Sequence, residues 1–205
     1  MVVEIVSWVA VALALAASAV ILISRDWRVS LGALALQYLA SFWLTTRHLP
    51  LAMGSVKLIA GWMAIAVLGM TRLSLSQPGS IEEDSFYPRG ASFRLILMGV
   101  VAFAAAGGTP QINNAIPGMG LPVIAGGLIL IGAGIAQLGV TGDLLRVTIG
   151  LLTMLSGFEI FYAAMETAIL VTGLLSAITL GLGALGAYLL VAGSVPLIEP
   201  EDETL

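Results

Sequence analysis

The sequence predicts an all-α, polytopic integral membrane protein of about seven transmembrane helices, and three observations predict it. Of the 205 residues, 59% are hydrophobic and only 10% charged, whereas a soluble domain carries about 25% charged residues. Mean hydropathy is +1.06, and apolar stretches of about 20 residues, long enough to cross a bilayer core, recur along nearly the whole chain. The short alternating segments of a membrane β-barrel do not appear.

The spans follow in order. The first, 2–24, opens "MVVEIVSWVA". It carries Glu4 where a signal peptide has a basic region, and its apolar run is longer than a signal's, so it reads as a retained helix. The second, 29–46, holds Gln37 and Tyr38 in "ALALQYLASFW", polar atoms that ordinarily make helix–helix hydrogen bonds. The third, 51–71, places Lys57 in its first third. The fourth, 93–109, is short and rich in Ala and Gly. It runs into "GGTPQINNAIPGMG", which reads as a loop or part of a re-entrant segment. The last three, 119–140, 147–168 and 170–193, are rich in glycine, as in "GGLILIGAGIAQLG". Small residues such as Gly127 and Gly183 let backbones approach closely in lipid, against helices of this chain or of other subunits.

This divides the chain into an N-terminal three-helix part (1–72), a loop (73–92), the short fourth span with its following loop (93–118), a second three-helix part (119–193) and an acidic tail (194–205). Basic residues set the orientation. With the N-terminus outside, Arg25, Arg28, Arg72, Arg89, Arg94 and Arg146 all fall in the cytoplasm, and only Arg47 falls outside, as the positive-inside rule requires. The loop and the tail are then cytoplasmic. The loop, with its Gly, Pro, Ser and acids, reads as a solvated connector.

Several functions are excluded within the chain. No basic run binds nucleic acid. The absence of cysteine removes disulfides, thiolate metal sites and iron–sulfur clusters, and the single His48 builds no haem or metal site alone. No phosphate-binding loop, nucleophile elbow or HExxH motif occurs; "GAGIAQLG" lies in a span with no preceding strand. No catalytic residue, metal or cofactor is expected, and no small-molecule substrate bound by this chain alone.

The chemistry sits in the membrane. A charge at mid-bilayer costs roughly 2.5–3.5 kcal/mol on insertion scales, so buried ionisable groups default to functional hypotheses. Glu159 lies thirteen residues beyond Arg146, which puts it near mid-depth. Ser156, Tyr162 and Glu166, three before, three after and seven after it, give that helix a polar face. A carboxyl there suits a proton relay better than a mere lock between helices. Glu166 falls near the outer end of its span, where a relay role and a plain interfacial position are both open. Lys57 either snorkels to the interface or serves as the opposite charge that a proton path needs.

The segment "GDLLRVTIGLLTMLSGFEIFYAAM" resembles the small K-type membrane subunit of complex I. There a basic residue leads into a helix carrying a G-L-E-I motif, matched here by Arg146 and by Gly157, Phe158, Glu159 and Ile160. The three helices of that family correspond to 119–193. Over nearly its whole length the chain resembles the E-type membrane subunit of hydrogenase-4 and formate hydrogenlyase complexes. That family adds helices before a K-like part and has a lysine in its third span, where Lys57 falls, and a polar position in its second, near Gln37. One departure stands out: the second glutamate of the K-type last helix has no counterpart around Leu182, so Glu166 substitutes for it or part of the proton axis is missing.

The resemblance implies a non-catalytic membrane-arm subunit of a redox-driven proton-translocating oxidoreductase complex in a bacterial or archaeal cytoplasmic membrane. Resemblance and helical spacing together give Glu159, Lys57 and Glu166 as relay residues, with Tyr162, Ser156 and Gln37 in support, and the resemblance implies other membrane subunits, antiporter-like ones included, as partners. The competing readings are the C-type subunit of a multisubunit cation/proton antiporter, which normally lacks the first three spans, and a purely structural scaffold.

Overall fold

A computed structural model of the chain describes residues 2–75, 90–166 and 168–194. These form seven α-helices: α1 (Val2–Ile23), α2 (Trp27–Thr45), α3 (Leu51–Leu75), α4 (Ala91–Ala115), α5 (Leu121–Val140), α6 (Leu144–Met165) and α7 (Ile169–Ser194). Most of the loop expected at 73–92, and nearly all of the acidic tail, lie outside the described residues. Six helices are long and apolar enough to cross a membrane, and α2 is the exception. The molecule is a polytopic helical membrane protein.

The exception has a cause. At 1.5 Å per residue α2 is about 28 Å long, close to a bilayer core, but it buries Ser30, Gln37, Tyr38, Ser41 and Thr45 against α1, α3, α5 and α6. A helix enclosed by protein has no need of an apolar surface all round. Its exposed residues are Arg28 at the start and Val29, Gly32, Leu36 and Leu39 beyond it.

Three of the boundaries that differ from the sequence reading have a plain local cause. Helices α2 and α6 start two to three residues earlier than expected because an aspartate caps each. Asp26 accepts from the Arg28 amide at 2.8 Å, and Asp143 accepts from the Arg146 amide at 3.4 Å; such caps satisfy the open N–H groups of a first turn. Helix α4 is a full-length helix of 25 residues that runs through Pro110, not a short span ending in a loop. A proline removes one backbone bond, whereas unwinding the segment in lipid leaves several groups unsatisfied. The chain breaks only afterwards, at Gly118 and Gly120, which have φ of 105° and 83°.

The helices of the N-terminal part pack on those of the C-terminal part in order: α1 on α5, α2 on α6, α3 on α7. Helix α4 lies against α5 and α1. The starts of α2 and α6 also match, with "RVSLG" from Arg28 and "RVTIG" from Arg146. In that register Tyr38 corresponds to Ser156 and Ser41 to Glu159.

Glycine fixes the closest approaches. A Cβ on Gly157 would sit 2.8 Å from the Gly127 carbonyl oxygen and the Ile131 nitrogen, so α5 and α6 meet backbone to backbone. A Cβ on Gly183 would sit 2.6 Å from Ala64 Cβ, which draws α7 onto α3. Gly127 and Gly183 therefore serve packing within the chain. Leu34, Leu130, Ile149, Leu152 and Ile160 fill the interior, while Phe103, Leu170 and Leu51 point outward, the distribution of a protein solvated by lipid.

Candidate functional site

The close fit of α3 on α7 brings together residues far apart in sequence. Lys57 enters from α3, Glu159 from α6, Thr179 from α7 and Tyr38 from α2, and all four are buried. Lys57 Nζ stands 3.9 Å from Glu159 Oε2, with both side chains 5% exposed. The same ammonium donates to the Glu159 main-chain carbonyl at 3.4 Å. Thr179 Oγ1 is 3.3 Å from Glu159 Oε1 and also donates to the Leu175 carbonyl at 3.1 Å. The Tyr38 ring lies against Gly61 of α3, where a side chain would collide with it. Its hydroxyl lies near Glu159 and Thr179 without a hydrogen bond of good geometry to any described residue.

A second polar group adjoins this one. Gln37 Nε2 donates to Ser18 Oγ of α1 at 2.7 Å and Gln37 Oε1 accepts from Thr153 of α6 at 3.1 Å. One turn further along α2, Ser41 and Ser156 share a hydrogen bond at 2.7 Å. The register of the two matching helices relates this contact to the other: exchanging each residue for its counterpart turns Ser41–Ser156 into Glu159–Tyr38.

Magnitudes separate the uses of such a pair. Removing two charges from water costs several kcal/mol per ion, and a buried pair repays this only with excellent geometry and further hydrogen bonds. Here the ion pair is at the long end of contact distance, and the ammonium has one other acceptor. As a structural clamp it is poor. When Glu159 takes up a proton, Lys57 loses its opposite charge but keeps the Glu159 main-chain carbonyl as an acceptor.

Of the residues expected from the sequence, Glu159, Lys57, Ser156 and Gln37 are thus all buried in or beside one cluster. Lys57 turns inward rather than snorkelling. Glu159 lies nearer the α6–α7 turn than expected, about 9 Å along the axis from Met165 at 1.5 Å per residue. Tyr162 and Glu166 do not join. Helix α6 ends at Met165, and Glu166 is an extended C-cap residue with φ −143°, its amide bonded to the Tyr162 carbonyl at 2.9 Å. Had the helix continued to 168, Glu166 would have stayed on the face of Glu159; instead it is exposed, and Tyr162 is partly so.

Thr179, Thr153, Ser18 and Ser41 were missed, and Tyr38 was read as an ordinary helix contact. Two signals in the sequence point to them: the hydroxyls Thr172, Ser176 and Thr179 repeat on one face of α7, and the RVSLG/RVTIG match aligns Ser41 with Glu159.

Fold and cluster together define a helical membrane protein with a buried lysine–carboxylate pair. Comparison with protein-family models, with curated proteins and with solved structures gives no match.

Proposed function

We propose that the chain is a non-catalytic membrane-arm subunit of a complex I-like or hydrogenase-like proton-translocating complex, in which Glu159 is an intramembrane proton-relay carboxylate. The observation that carries the reading is the Lys57–Glu159 pair, 3.9 Å apart and 5% exposed, whose burial its weak geometry does not explain as stabilisation. Lys57 compensates the carboxylate when it is ionised; when Glu159 is protonated, the ammonium keeps its bond to the Glu159 carbonyl. Electron transfer in a partner subunit would alter the hydration or proton affinity of Glu159, and the proton would pass to adjoining antiporter-like subunits.

The orientation proposed is N-terminus outside and C-terminus in the cytoplasm of a bacterial or archaeal membrane. Two bonds between helix ends support grouping the arginines on one side: Arg94 donates to the Leu22 carbonyl at 3.1 Å, and Arg146 to the Arg25 carbonyl at 3.0 Å.

The test is Glu159→Gln in the assembled complex. Coupled pumping is expected to be lost while electron transfer and co-purifying subunits are retained; undiminished pumping would sink the relay. Sodium-dependent proton exchange with no redox partner would assign the chain to the cation/proton antiporters instead.

A further inference from the structure

The two sides of Glu159 differ. Toward α1 and the C-terminal half of α2 the polar side chains pair with one another, as in Ser41 with Ser156 and Gln37 with Ser18 and Thr153. Toward α7 the carboxylate meets only Thr179, at 3.3 Å, and the hydroxyls bond to their own helix rather than to each other. Thr172, Ser176 and Thr179 are buried on one face of that helix, at 2%, 5% and 2% exposure, in a row from its first turn to the carboxylate. Each hydroxyl hydrogen goes to a carbonyl one turn back, at 3.2, 3.0 and 3.1 Å, which leaves the oxygens free to accept from water. Hydroxyls three and four residues apart lie about 5–6 Å from one another at Cβ, a gap that one water bridges. At the inner end of the row is the unpartnered Tyr38 hydroxyl. An orphaned buried hydroxyl is costly, and buried waters typically make about 3 hydrogen bonds to such groups. A water seated beside Tyr38, Glu159 and Thr179 would have three such partners.

Resting on the relay reading of Glu159, we propose that it exchanges protons with the α6–α7 end of the bundle. They move through water along the Thr172–Ser176–Thr179 stripe, and a water held at Tyr38 is the carrier next to the carboxyl. That water takes the proton of the Glu159 carboxyl, becoming hydronium and leaving a carboxylate, and passes a proton on to the next water; the reverse transfer restores the carboxyl.

The chain has no cysteine, so an introduced thiol gives the only S–H stretching band. In the full-length protein in lipid nanodiscs, exchange of that band in D2O reports water access. Ser176→Cys is expected to exchange roughly tenfold or more faster than Ser7→Cys, a serine fully buried on α1 away from the stripe. Thr172→Cys, nearer the end, should be at least as fast as Ser176→Cys. Equal rates at positions 176 and 7 overturn the route, as does slow exchange at 172 should Ser176→Cys not fold. A buried-water band that shifts in heavy-oxygen water should disappear in Tyr38→Phe; its persistence there overturns the Tyr38 carrier. None of these readouts depends on pumping, so a relay that fails in Glu159→Gln and a stripe that fails in D2O are told apart.

Discussion

At the scale of single residues, the lysine–glutamate pair sets the terms. Breaking a buried ion pair by removing one partner costs about 3–5 kcal/mol, because the other charge is stranded. Lys57→Met should therefore lower the thermal midpoint of the detergent-solubilised protein well below wild type. Lys57→Met combined with Glu159→Gln should recover most of the loss, since neither charge is then left alone; additive losses would show the two uncoupled. Glu166→Gln, at an exposed helix end, should stay within about 0.5 kcal/mol of wild type and leave coupled pumping intact. Glu159 and Lys57 were legible in the sequence because a charge inside an apolar run is conspicuous by its cost. Tyr38 and Thr179 were not, since a tyrosine or threonine is commonplace in such a helix. Their part depends on α3 lying against α7, a contact between segments more than a hundred residues apart.

At the scale of the element, composition placed all seven helices, and local chemistry moved their ends. Asp26 and Asp143 were readable as caps from residue type alone, but the apolar runs drew attention past them to residues 29 and 147. The proline in α4 invited a break that lipid disfavours, so helix type was legible while helix length was not. Glycine content was legible as a packing signal, but which glycine meets which helix was not. The difference is testable. Gly157→Ala puts a methyl group against the backbone of α5 and should destabilise by roughly 1–3 kcal/mol. Gly173→Ala, with nothing within 4 Å of the added carbon, should stabilise α7 by about 0.5–1 kcal/mol through helix propensity. Thermal midpoints of the two variants should move in opposite directions, and a common direction would refute the close α5–α6 seam.

At the scale of the molecule, the sequence suggested a three-helix part followed by a second three-helix part, and both sets of helices are present. Their relation was hidden in it. The triplets do not stand side by side as separate bodies: α1, α2 and α3 each lie on their counterparts α5, α6 and α7, and the buried cluster is assembled across that seam, with Tyr38 and Lys57 from one triplet and Glu159 and Thr179 from the other. Most of the packing that holds α3 therefore comes from α7 and α2 rather than from its chain neighbour α4. It follows that continuity between residues 75 and 90 is not required for association. Fragments 1–75 and 90–205, expressed separately in one cell, should co-purify in mild detergent through the α3–α7 and α2–α6 contacts. Gly183→Leu, which forces a bulky side chain against Ala64, should abolish that co-purification, whereas Gly173→Leu, on the outward side of the same helix, should leave it unchanged. Fragments that fail to associate, or that associate equally well with leucine at 183, would show that the seam between the triplets is not what joins them.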